Sequence, residues 1–191
     1  MQMKRTVLLF FSVLAMLPAL SQGLSLNTGK VYLYGVDFSE VRVAGAYETN
    51  DYFVRAFVGI NGLFVAEPKK YDFSKTLGVP VEPCIQVMTK ITREMDTSSM
   101  RTETPEISPA KTEDMIAGYT LPQENGVGMI LIARLLDKHE GEGTFDVVLF
   151  DIATRKPLFV KRVTKEASGN GLRNYWANAV YDIVRDKKLF R

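Results

Sequence analysis

One histidine and one cysteine are the whole supply of strong metal-ligating side chains in this chain. A tetrahedral zinc site takes several such ligands, and His139 and Cys84 are far apart in sequence, so no metal is expected. His139 lies in the stretch Lys138-His139-Glu140-Gly141-Glu142-Gly143, a polar loop composition. A Ser-His-Asp site needs its imidazole held by rigid neighbours, and such a loop does not supply them. Asp37, Asp137 and Asp151 each close an apolar run and could suggest a carboxylate cluster. Turn-forming aspartates explain all three, and the hairpin joining the last two runs sends Asp137 and Asp151 to opposite ends of a sheet. No catalytic residue, cofactor site or metal site is therefore assigned, and the chain reads as non-enzymatic.

One segment carries a weaker signal for binding. Gly169-Asn170-Gly171-Leu172-Arg173-Asn174 follows a strand-like run and opens a helix-like one. Free backbone N–H groups at a helix start, together with a guanidinium, can hold a phosphate or carboxylate. Gly169, Asn170, Gly171 and Arg173 are the candidate contacts for an anion or a partner. The segment is not a dinucleotide fingerprint, because Asn174 stands where the third glycine belongs. A strand-to-helix turn that needs positive φ explains the same glycines structurally. The charged stretch Glu67-Pro68-Lys69-Lys70-Tyr71-Asp72 reads as a solvated connection.

The elements that must position these residues follow from hydrophobic spacing. Lys30–Phe38 is rich in aromatic and β-branched residues and predicts a strand. Thr49 caps a helix over Asn50–Asn61, with Phe53, Ala56, Phe57 and Ile60 at helical spacing and Gly62 as its stop. Val79–Ile91 alternates and predicts a half-buried strand. Residues 96–112 form a polar internal loop containing Pro105 and Pro109. Glu113–Tyr119 is a short helix. Val127–Leu136 and Phe145–Ile152 are apolar on both faces and predict central strands covered on two sides. Pro157–Thr164 returns as a third strand, and Leu172–Lys187 closes the chain as an amphipathic helix with Trp176 in its apolar stripe. This order predicts an α+β domain: a mixed or mostly antiparallel sheet of about five strands with two main helices packed on it. Two helices cover one face readily. The other must be shielded by Asn61–Leu77, by the polar loop or by another chain. The loop is too polar to do it well. Asn61–Leu77 is the expected lid, slightly ahead of a partner chain, so either a monomer or a homodimer is compatible.

Residues 1–21 have the layout of a secretory signal peptide. Lys4 and Arg5 precede an apolar run from Val7 to Leu17, and Ala19-Leu20-Ser21 offers small residues before a cut. The run is too short to span a bilayer. Residues 22–191 are then one exported domain, periplasmic or secreted, with no membrane insertion. It is expected to be non-lipidated, since no cysteine lies near the cut. Removing the leader takes two cations and leaves 22 basic and 22 acidic residues, a net charge of zero. A general nucleic-acid binder needs a clear positive excess, so nucleic acid is not an expected partner. The charge is unevenly spread: Arg155–Arg191 holds 10 basic and 3 acidic residues.

The opening strand ending in Asp37-Phe38, the meander GMILIARLL…FDVVLFDIATRKPLFVKRV and the closing amphipathic helix together resemble a soluble envelope domain. It is the domain shared by the curli secretion lipoprotein CsgG and the N-terminal domain of TolB. The same features are similar to a family of secreted proteins from Gram-negative anaerobes. Arg155 replaces the usual glycine of the Asp151-Ile-Ala-Thr turn. The lipoprotein cysteine is absent, as are extra strands to build a pore. The resemblance therefore implies the fold and an envelope role in binding other proteins, not channel activity. The expected function is protein–protein interaction in the cell envelope; the alternative is a small-ligand or anion binder using 169–173.

Overall fold

The computed structural model describes residues 28–191, so the signal-peptide assignment lies outside the described residues. The chain runs β1 (Val31–Asp37), β2 (Arg42–Ala44), α1 (Asn50–Ala66), α2 (Ser74–Leu77), β3 (Val81–Pro83), α3 (Gln86–Glu94), β4 (Arg101–Thr102), α4 (Thr112–Gly118), β5 (Val127–Asp137), β6 (Glu142–Asp151), β7 (Pro157–Glu166) and α5 (Leu172–Val184). No helix among the described residues is long and apolar enough to cross a membrane.

The expected α+β sheet of about five mostly antiparallel strands is incorrect. Seven strands form one sheet, and β1 pairs in parallel with β3 and β5 while β2 pairs in parallel with β4 and β5. Only β5–β6 and β6–β7 are antiparallel. The described residues form an α/β fold with five helices. β6 occupies one edge of β5 along its whole length, so β1 and β2 must share the other edge end to end. The physical reason lies in the connections. Antiparallel neighbours need tight turns, and only 138–141 and 152–156 provide them; every other pair of successive long strands is separated by helix, which makes a parallel crossover.

The error begins at Val79–Ile91. Its alternation predicts a strand, but the strand lasts only from Val81 to Pro83 and α3 follows. Met88 and Thr92 are its buried residues, four apart, as a helix face requires. α1 also overruns its expected stop. Thr49 caps it by accepting the Tyr52 N–H, as expected, but the helix continues through Gly62 to Ala66. A helical glycine costs about 1 kcal/mol. Burying Leu63 and Phe64 returns about 1.5–3 kcal/mol each, so the longer helix wins.

Alternation along the central strands splits the core in two. Met129, Leu131, Ala133, Phe145, Val147 and Leu149 face α1 and α5, with Phe38 stacked on Phe57 at 4.0 Å. Ile130, Ile132, Val148, Phe150 and Ile152 face Met88 of α3, and Ile116 and Tyr119 in and after α4. Both faces are covered, as their composition predicts, but the lid is not Asn61–Leu77. Phe64, Tyr71 and Phe73 of that segment pack into the first core. The polar loop and α4 close the second face instead, fastened by Arg134. This fully buried guanidinium donates to the Ala110 carbonyl at 2.6 Å and the Thr112 hydroxyl at 2.6 Å.

β1 carries an irregularity between Leu33 and Val36, where Gly35 adopts φ 98°. The Asn61 side chain of α1 repairs it. Its Oδ1 accepts the Val36 N–H at 2.7 Å and its Nδ2 donates to the Val36 carbonyl at 2.9 Å. A Cβ on Gly35 would lie 2.3 Å from that oxygen, so glycine is required by the contact as well as by φ. Asn61→Leu strands both backbone groups in a dry core. Each such group costs about 1–3 kcal/mol, so a loss of about 2–6 kcal/mol is expected in chemical denaturation. Asn61→Asp should cost about 3–5 kcal/mol as well at neutral pH, because it places an uncompensated carboxylate in the same dry core.

Candidate functional site

The strand-to-helix turn does line a cleft. Ser168, Gly169, Asn170 and Arg173 form one side of an open depression of about 490 Å³, and Glu67, Lys70 and Tyr71 form the other. The turn is shaped by its glycines: Gly169 has φ 120° and Gly171 has φ 78°. Gly171 is the residue preceding α5 and does not itself line the cleft. No side chain caps the start of α5, and no acidic residue lies in its first turn. The N–H groups of that first turn therefore have no side-chain acceptor, and the positive end of the helix dipole lies beside the cleft.

Arg173 reaches this position across α1. Its stem lies over Gly59, where an added Cβ would come within 2.8 Å of Cδ. Its Nε and Nη2 donate to Asn174 Oδ1 at 3.1 and 2.9 Å, which orients the guanidinium without neutralising it. Opposite it, Lys70 lies 3.6 Å from Glu67 and over the rings of Tyr71 and Tyr181 at 5.2 and 5.1 Å. Tyr71 is buried, which pushes its hydroxyl up to about 12, and it donates to the Ala177 carbonyl. It is a neutral wall, not a base.

Lys70 also borders a second depression, shared with Lys69, Lys75, Arg185 and Lys187. Together the two clefts present six cations against Glu67 and Asp72, with Arg185 paired to Asp182 at 3.0 Å. The stretch Lys69-Lys70, set aside in the sequence as a solvated connection, thus joins the C-terminal basic residues in space. Both segments are visibly basic, but their proximity depends on α1 and α5 packing side by side.

The remaining candidates do not converge. His139 is in the β5–β6 turn, its ring against Gly45. Asp137 accepts the N–H groups of His139 and Glu140, and Asp151 accepts that of Thr154. Asp37 accepts the Ser39 N–H and, unforeseen from the sequence, the hydroxyl of buried Tyr119. Burial and the Asp37 carboxylate hold that hydroxyl well above its ordinary range. Cys84 is buried, its Sγ accepting from Gln123 at 3.4 Å, and burial pushes the thiol up. A high thiol pKa suppresses the reactive thiolate. Arg155, in the turn after β6, occupies a left-handed conformation, φ 58°. No group of three or more His, Cys, Asp or Glu residues able to hold a metal occurs among the described residues.

No protein-family profile matches the chain, and no curated protein does. A solved structure, the lipoprotein GNA1162 from Neisseria meningitidis, aligns over 83% of this chain and 97% of its own length, at 11% identity and a TM-score of 0.34. A likeness of that size assigns neither family nor activity.

Proposed function

We propose that this domain is a non-catalytic binding module of the cell envelope that docks another protein through the basic cleft beside α5. The carrying observation is the meeting of Lys70 and Arg173 across an open, polar depression that continues into Lys69, Lys75, Arg185 and Lys187. The clefts are lined mainly by polar and charged side chains, which suits a solvated acidic surface better than an apolar small molecule. Association there is steered by charge and weakens as salt screens it, over a Debye length of about 8 Å at physiological ionic strength.

The uncapped start of α5 favours one further reading, capture of a small anion by 169–173. The mature protein immobilised against envelope extract separates the two. The charge-reversal pair Lys70→Glu and Arg173→Glu is expected to abolish retention of a protein partner at low salt. Both residues are exposed, so the fold is expected to survive. A partner retained equally by the double variant refutes the cleft. Micromolar binding of inorganic phosphate, lost in Arg173→Ala, supports the small-anion reading instead.

A further inference from the structure

The last strand leaves an edge open. β7 is ten residues long and pairs only with β6, so one side of its backbone has no strand partner among the described residues. Natural sheets rarely leave such a length bare, because unpaired N–H and C=O groups template the addition of another strand. Exposure alternates along it. Leu158 and Val160, 51% and 45% exposed, stand two residues apart on the face shared with Val148 and Phe150. They are two of the few large apolar side chains that the described surface presents.

The same strand carries Lys161, Arg162 and Lys165 against Glu166. Arg162 is paired with Asp146 and Lys165 with Asp186, but Lys161 meets only the carbonyls of Lys188 and Leu189. β7 itself thus carries three cations against one carboxylate, a net of +2. Asp146, which Arg134 shares, and Asp186 offset its far half together with Glu142 across from Glu166. The uncompensated cation is Lys161, beside Leu158 and Val160. Pairing with a second copy would bring the same three cations into one strip, which disfavours self-association.

We propose that β7 accepts an added strand from an extended acidic segment of another protein, with apolar residues placed over Leu158 and Val160 and carboxylates along Lys161. Backbone hydrogen bonds would supply the affinity and this alternation the selectivity. The site is separate from the α5 cleft and stands whether or not the cleft reading does.

The probe is a synthetic decapeptide alternating valine and glutamate, added to the protein carrying Lys70→Glu and Arg173→Glu so that the basic cleft cannot hold it. Hydrogen exchange read by mass spectrometry is expected to slow across 157–166 at least tenfold, and salt should weaken the effect. The variant Leu158→Glu/Val160→Glu, altered only at exposed positions, should bind at least tenfold more weakly with an unchanged circular dichroism spectrum. A valine–lysine decapeptide should not protect β7. The proposal is overturned if the acidic peptide leaves β7 exchange unchanged, if the lysine peptide protects it equally, or if β7 is already protected in the free monomer. Concentration-dependent protection with dimerisation overturns it in favour of self-pairing.

Discussion

Asp146→Asn is expected to destabilise the fold by about 3–5 kcal/mol, more than Arg134→Met does, although the two residues form one ion pair. Arg134 Nε donates to Asp146 Oδ2 at 2.8 Å with both side chains almost wholly buried. Thr112 accepts from Arg134 and donates to the same oxygen at 3.0 Å. Arg162, half exposed, donates to both carboxylate oxygens, at 2.6 and 3.0 Å. The arrangement is asymmetric. Losing Arg134 leaves Asp146 still neutralised by Arg162, whereas losing the carboxylate leaves a guanidinium buried with only neutral acceptors. An uncompensated buried charge costs about 3–5 kcal/mol, a large part of a total stability of about 5–15 kcal/mol. Arg134→Met should cost nearer 1.5–3 kcal/mol, the range for hydrogen bonds to charged groups. The double variant should cost less than the sum, and a denaturation cycle measures that coupling. If Asp146→Asn moves stability by under about 1 kcal/mol, the pair is not dry and Arg134 does not fasten the loop.

The same carboxylate sets a pH dependence. Burial alone would raise its pKa, but hydrogen bonds and charge from Arg162 and Arg134 outweigh burial and lower it below the ordinary 3.8. A group with a depressed folded pKa contributes fully above its unfolded value and loses that contribution as pH falls through the folded one. The protein should therefore lose stability below about pH 4, and Asp146→Asn should flatten that part of the profile.

Arg134 also shows what the sequence could and could not disclose. A single arginine within VGMILIARLL, facing an aspartate within FDVVLFD across a legible hairpin, is itself the signature of a buried ion pair. The hairpin, both central strands, the Thr49 cap and the burial of Trp176 follow from local spacing, because their partners lie close in sequence. The parallel half of the sheet does not. β1 meets β5 after some 90 intervening residues, and nothing in either strand encodes that neighbour. Val79–Ile91 misled because it satisfies two periods: Val87 and Ile91, like Met88 and Thr92, are four apart, while the earlier residues alternate. Of the candidate cleft, the turn at 169–173 is legible and Lys70 is not, since only the packing of α1 on α5 brings them together. By composition the polar loop is too hydrophilic to cover a sheet. Satisfying its polar groups from a buried arginine is what makes the cover possible.

Trp176→Ala is expected to cost about 3–5 kcal/mol and to disorder the cleft with it. Trp176 is fully buried on the face of α5 formed by Leu172, Ala179, Val180 and Ile183, with Tyr175 edge-on to it at 4.9 Å. It lies one turn after Arg173, so the cavity left by its removal opens at the end of the helix that carries the candidate site. Its Nε1 is buried with no acceptor among the described residues, which sets the indole apart from the hydrocarbon packed around it. An unpaired buried N–H is a liability of about 1–3 kcal/mol. Trp176→Phe removes that liability while keeping most of the apolar volume, so it should cost only about 1–2 kcal/mol. The side chain is also the chain's one tryptophan, so its fluorescence reports the site directly. Emission should be blue-shifted in the native state and move red in one step with the circular dichroism transition. In a background without the substitution, Arg173→Glu should leave both signals in place, since Arg173 is exposed and the packing beneath it is unchanged. A red native emission, or a Trp176→Ala variant as stable as the parent, would mean that the apolar stripe of α5 is not seated on the sheet. The cleft built between α1 and α5 could not then stand either, because Arg173 is placed over Gly59 only by that seating.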